Sequence, residues 1–412
     1  MKSNIKYFIT LLSCIGVLYS CNSKIDSKKE SSYIIPKEYL KENPQIPNFW
    51  VNTPEDIEKY IKENVKKGKV TQIGKSAGGR KVYAISYGIA REDIGTTTFS
   101  GSLGVSQIKH YRGKDSDKIV YMGIAGVHGF ELEGIVGIIN FLSVLETGKD
   151  LKGKSWPEAN NLLNKVDRIV LIPLVNPDGR ARVPVNMEIN QGADEDSYII
   201  HEYLNTGGTK EGKIIGWPDV KEYIPMDFQN VGFPGGYPND NGYNIMHDDF
   251  FGNIQPETKI LFDISKSEKP DLIINMHTGV PKNNYFMTIH RPFCEPWLQN
   301  IFDSLYFDIK SRLTVENLQG SKDLKIEANP KNEKIKEYNL STALNLHTGA
   351  LSIVIESPSH GFSGTNLQGH IVTHTPEMLV DAQIIAHLES LNFLIKNRGR
   401  GKWEEKLILS NK

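Results

Sequence analysis

The apolar positions of this chain fall into short dense runs separated by longer amphipathic ones. Five runs read as strands: "KVYAISYG" from Lys81, "KIVYMGIAG" from Lys118, "RIVLIPLV" from Arg168, "DLIINM" from Asp271 and "LSIVIE" from Leu351. Three or four of them are nearly continuously apolar rather than alternating, the pattern of strands buried on both faces of an α/β sheet. Helical spacing appears in "NTPEDIEKYIKENVKKG". Thr53 can cap it, Pro54 suits its first position, and Asp56 sits three beyond the cap. Ile57, Tyr60, Ile61 and Val65 line one face, and Gly68 can end it. Further helices are expected over Leu132–Leu145 and from Pro376, with Thr375 as its cap. Residues 183–243 break the pattern. They are rich in Gly, Pro, Asn and Asp, and a loop this long is functional or disordered. Its aromatic residues (Tyr198, Tyr203, Trp217, Tyr223, Phe228) argue for an ordered insertion near a site.

The ends of the chain change the picture of where it works. Lys2 and Lys6 precede "YFITLLSCIGVLYS", an apolar stretch short for a bilayer span. It closes on "LYSC", in which leucine, two residues and Cys21 resemble the lipobox of bacterial lipoproteins. Residues 1–20 are therefore expected to be a lipoprotein signal peptide and 21–44 a flexible tether, with the catalytic domain over 45–400. The resemblance implies a lipid on Cys21, a membrane as partner and a place in the bacterial cell envelope. With Cys14 removed and Cys21 acylated, Cys294 is left alone, so no intramolecular disulfide is expected. Over 412 residues the formal net charge is -1. No basic surplus is present to neutralise phosphates, so nucleic acid is not an expected partner.

Candidate chemistry sits at the strand ends. "GIAGVHGFELEG" carries His128 and Glu131 just after one apolar run, and "DLIINMHTG" carries His277 at the end of another. Two histidines and a carboxylate make the donor set of a catalytic zinc, which takes three protein ligands and keeps one position for water. "ALSIVIESPSHG" places Glu356 at a third strand end, where a carboxylate can take a proton from the attacking water and pass it to a leaving amine. Each feature alone has a plainer reading. His-x-x-Glu pairs arise by chance, a lone histidine is more often a hydrogen-bonded core residue, and a lone glutamate can be half of a structural ion pair. Their joint placement at strand ends, where open α/β sheets bind ligands, favours a metal hydrolase.

Four features in this order resemble the zinc carboxypeptidases of the carboxypeptidase A type: "IGKSAGGRKVYAISYG" (Ile73 to Gly88), "HGFE", "NPDG" (Asn176 to Gly179), and His277 followed by Glu356. The resemblance runs from Thr53 to about Ile395. It implies a mixed, mainly parallel sheet flanked by helices on both faces, in a single domain with a long loop insertion. It implies one zinc ion per chain on His128, Glu131 and His277, Glu356 as general base, and a peptide or cell-wall peptide as substrate. It also calls for an arginine to stabilise the oxyanion. Arg180 and Arg182 are the only arginines between Gly179 and His290, and Arg182 is the candidate. Tyr338 is a candidate for the family's mobile substrate-contacting tyrosine. The family's Asn-Arg pair, which binds a terminal carboxylate, falls here on Met246 and His247 of "GYNIMHDDFFG". Asn244 and His247 are thus the substrate-contact candidates, and strict exopeptidase action is in question. The glycines around "HGFE" also resemble the related deacylase branch of succinylglutamate desuccinylase and aspartoacylase, whereas "IGKSAGGR" and "NPDG" favour the peptidase branch. A non-catalytic binding lipoprotein is the third reading, and the presence of all three ligands and the base counts against it.

Overall fold

The apolar runs form the middle of one sheet. The computed structural model describes residues 35–36, 39, 46–184, 195–279, 287–291, 294–319, 325–326, 338–359, 363–365 and 371–410. All belong to a single unit, Ile34–Lys412. The signal and lipid expectations fall outside the described residues, as do the tether apart from residues 35–36 and 39 and part of the insertion.

The strands are β1 (Lys69–Lys75), β2 (Lys81–Gly88), β3 (Val120–Ala125), β4 (Arg168–Ile172), β5 (Leu272–Thr278), β6 (Thr288–Arg291), β7 (Lys325–Ile326) and β8 (Leu351–Ser357). Their order is β1-β2-β4-β3-β5-β8-β6-β7. The four central strands β4, β3, β5 and β8 run parallel to one another; β2 pairs antiparallel with β1 and β4, β6 pairs antiparallel with β8, and β7 pairs parallel with β6. The sheet is mixed with a parallel centre, as expected. The central strands are buried nearly throughout, which is why their sequences do not alternate. A separate hairpin pairs β9 (Ser363–Thr365) with β10 (Ile371–Thr373).

Helices cover both faces. One core joins Tyr121, Ile274, Met276, Ile353 and Ile355 to the helices Pro54–Asn64, Leu132–Thr147, Leu298–Val315 and Pro376–Asn397. The other joins Met122, Ile124, Ile273 and Val354 to the helices Pro256–Glu268 and Leu340–Thr348. The first helix begins as its sequence predicts: Thr53 Oγ1 accepts the Asp56 N–H at 3.1 Å. Pro376–Asn397 is long and apolar enough to cross a membrane, yet it is a buried core helix, capped by Thr375. The insertion is ordered where it is described. It contains a helix, Glu195–Thr206, that its Gly- and Asn-rich surroundings do not announce.

Candidate metal centre

Three neighbouring parallel strands, β3, β5 and β8, end along one edge of the sheet. Past β3, Gly126 turns the chain with φ +65°, and His128 follows. Gly129 lies so close to the 176–179 turn that a Cβ there would sit 2.1 Å from Arg180 N, so only glycine fits. Glu131 then stands immediately before the Leu132–Thr147 helix. His277 is next to last in β5, and in the β5–β8 register it lies opposite Glu356.

Glu131 is the hub. Its Oε1 is 2.7 Å from His128 Nδ1 and its Oε2 is 2.8 Å from His277 Nδ1. The Thr278 N–H also donates to Oε2, at 3.2 Å. One ligand atom from each of the three residues lies within 4.8 Å of the others, and all three are buried. Burial alone would raise the Glu131 pKa, but the two imidazoles outweigh it and hold the carboxyl well below the usual range.

The far side of His128 fixes its tautomer. His128 Nε2 is 3.0 Å from Asn244 Oδ1, and that oxygen also accepts the Met246 N–H at 2.9 Å. An amide oxygen only accepts, so Nε2 carries the proton. A neutral ring then presents a bare Nδ1 lone pair to a carboxylate oxygen at 2.7 Å. That contact is repulsive unless a cation lies between them, either a second proton or a metal. Two buried nitrogens and a carboxylate facing one point fit a zinc ion. The backing of a ligand histidine by a second hydrogen bond is the support such ions use.

Aromatic packing completes the mount. The Tyr237 ring stacks on His128 with centroids 3.7 Å apart and planes at 7°, and the two histidine rings meet edge-on at 4.9 Å. Behind β5, Thr278 Oγ1 donates to Glu133 Oε2 at 2.6 Å. Neither Tyr237 nor Glu133 was singled out by the sequence. Nothing in "GFPGGYPND" marks its tyrosine as a partner of His128.

The other sequence candidates fall in different places. Glu356 is half-buried beside His277, and a Cβ on Gly279, two residues past His277, would lie 3.2 Å from its Oε2. Asn244, expected as a substrate contact, stands behind His128, with its Oδ1 3.0 Å from Nε2 of the ring. His247 is held well below the usual histidine range, first by burial and then by the charge of Lys221. It is therefore neutral near pH 7 and supplies no fixed positive charge. Met246 is buried, and its Sδ takes the Asn275 amide at 3.7 Å. Arg182, expected at the oxyanion, donates from its guanidinium to Gly235 O, Pro238 O and Asp240, and lies over the Phe228 ring. Arg180 is buried against Asn52 and the carbonyls of Val183 and Pro184. Tyr338 packs between Phe250 and Phe251.

The family described as zinc carboxypeptidase matches residues 57–348, more than half of the 412. The match includes His128, Glu131 and His277 and stops short of Glu356. No curated protein matches the chain. Among solved structures, a metallo-carboxypeptidase from Burkholderia cenocepacia is 15% identical, with a TM-score of 0.49, covering 82% of this chain and 68% of its own. A metallo-carboxypeptidase from Pseudomonas aeruginosa, in complex with (2-guanidinoethylmercapto)succinic acid, is 13% identical with a TM-score of 0.43, covering 82% and 67%. Carboxypeptidase A from Helicoverpa armigera is 12% identical with a TM-score of 0.44, covering 84% and 73%.

Proposed function

The chain belongs to the zinc carboxypeptidase family, and from that premise we propose that it hydrolyses a peptide bond with Glu356 as the general base. The observation that carries this reading is the convergence of three strand ends, with Glu356 in register beside His277 and both ligand imidazoles turned to Glu131. His128, Glu131 and His277 would hold the zinc. When bound, the ion supplies Lewis-acid polarisation of the scissile carbonyl and a water of lowered pKa. Glu356 accepts a proton from the attacking water as the C–O bond forms, and returns it to the departing nitrogen as the C–N bond then breaks. Thr278 N and Asn244 hold Glu131 and His128 in place while this happens. Glu356→Gln is expected to lower kcat about 10²- to 10⁴-fold with zinc content unchanged. Unchanged turnover would remove Glu356 from the mechanism.

One observation favours a second reading, an amidohydrolase or deacylase of the succinylglutamate desuccinylase and aspartoacylase type. The turn where a carboxylate-binding pair would sit carries buried Met246 and neutral His247. Paired peptides with free and amidated C-termini separate the two readings. Loss of cleavage on amidation supports the exopeptidase, and indifference to it supports the second reading.

The substrate we propose is a peptide or cell-wall peptide met at the cell envelope, with the chain held to the membrane by a lipid on Cys21. Cys21→Ala is expected to move it from the membrane fraction to the soluble one. A variant that stays with the membrane would end the anchor proposal.

A further inference from the structure

Two of the segments that mark this sequence, "SAGGR" and "NPDG", carry no metal ligand and no base, yet they meet in one knot beside the metal centre. We infer that Arg80 is a positioning residue for His128, acting through the 235–244 loop. This rests on the reading of His128, Glu131 and His277 as a zinc site.

The loop holds His128 by three contacts. Tyr237 stacks on its ring, Asn244 Oδ1 accepts its Nε2–H, and Gly236 O accepts the N–H of Gly129, the next residue. The loop has no regular structure of its own beyond an isolated bridge between Pro238 and Asn244, and a single 3-10 turn, Ile245–His247, follows it. Its place is set by what grips it. Arg80 Nη1 reaches Asp178 Oδ1 at 2.8 Å and Asp240 Oδ2 at 2.7 Å, joining the "NPDG" turn to the loop. Asp178 is fully buried. It also accepts Ser76 Oγ at 2.6 Å, Gly78 N at 2.7 Å and Asp240 N at 3.2 Å. From the same turn, Asn176 Nδ2 donates to Tyr237 O at 3.1 Å and to Val127 O, just before His128, at 3.3 Å. Arg182 grips the loop from its other side.

Arg80 is the part of this knot open to test. It is half-buried, Asp240 is exposed, and a pair so placed adds little to stability. Its other partner, Asp178, is fully buried, so removing Arg80 also takes the counter-charge from a buried carboxylate that keeps three donors, a cost to stability that melting reads separately from zinc affinity. What it loosens is the far end of the lever on which Tyr237 and Asn244 sit. Partners that orient a metal ligand typically change metal affinity about 10- to 100-fold when lost.

The experiment measures zinc affinity of the full chain by competition with a chelator, and the visible spectrum of its cobalt(II) form, for wild type, Arg80→Met, Arg80→Lys, Asn244→Ala and Arg80→Met/Asn244→Ala. Melting of the metal-free chains is recorded alongside, and Asp240→Asn reads the same link if Arg80→Met does not fold. The expected result is about 10-fold weaker zinc binding in Arg80→Met. A shifted cobalt spectrum and partial rescue by lysine should accompany it. The double variant should be little weaker than Asn244→Ala alone, since both act on one ring. Wild-type affinity and spectrum in Arg80→Met, or a double variant whose losses simply add, overturns the inference and leaves the metal reading standing. No zinc in wild type overturns the metal reading itself, and the inference with it.

Discussion

At His128 the tautomer decides what the ring can do. Asn244 takes the Nε2 proton, and Nδ1 is left facing a carboxylate that needs a cation beside it. The same ring is steadied by Tyr237, whose stacking is nearly parallel. An aromatic pair of this kind is worth about 0.5–1.5 kcal/mol. Tyr237→Leu should therefore weaken zinc binding by about 2- to 10-fold, whereas Tyr237→Phe should bind as wild type does; chelator competition reads both. At this scale the sequence was a partial guide. His128, Glu131 and His277 stood out because metal-ligand types at strand ends are uncommon in apolar surroundings. Asn244 stood out for another reason, as a neighbour of the expected carboxylate site. Arg182 was chosen only because arginines are scarce in that stretch. Sequence carries no sign of which carbonyls a guanidinium will meet, and Arg182 meets those of Gly235 and Pro238.

At the scale of elements, the buried strands were legible and the exposed ones were not. β3, β4, β5 and β8 announce themselves because burial on both faces leaves no polar positions. β1, "KVTQIGK", is an edge strand with mostly exposed side chains, and nothing in its pattern separates it from a loop. The junction of the β1–β2 turn with the Pro256–Glu268 helix has a measurable consequence. Glu257 is buried at the start of that helix, where its carboxylate accepts the Ala77 N–H and the Asn239 side-chain amide. Burial nevertheless dominates and raises its pKa to about 7. The folded chain therefore holds a proton that the unfolded chain loses near pH 4.5, and this contribution to stability is present at low pH and lost as pH rises through 7. At about 1.4 kcal/mol per pKa unit, the loss between pH 4.5 and pH 8 is at most about 3 kcal/mol. Glu257→Gln should remove this component. Wild type should lose stability relative to the variant between pH 5 and pH 8 in parallel melts, and equal slopes would contradict the assignment.

Across the whole molecule, the site depends on three strands ending together, and one residue at their opposite ends keeps them aligned. Asp271, just before β5, is fully buried. It accepts from Arg112 and Arg91, from Val120 N at the start of β3, and from Arg400 N. Burial would raise its pKa, but Arg112 and Arg91 outweigh that and lower it. Removing one partner of a buried ion network leaves uncompensated charge and costs about 3–5 kcal/mol. Asp271→Ala should lower the urea midpoint accordingly, and a midpoint within error of wild type would show the network to be dispensable. The fold class and the parallel centre of the sheet could be read from the sequence because they follow from which runs are apolar. The path of the 235–244 loop could not, since it is set by contacts with distant turns.

The metal site is tested most directly by metal content by mass spectrometry on the purified chain, wild type beside His128→Ala. About one zinc per chain is expected in wild type, and its loss in the variant. No zinc in either, or equal zinc in both, would contradict the site.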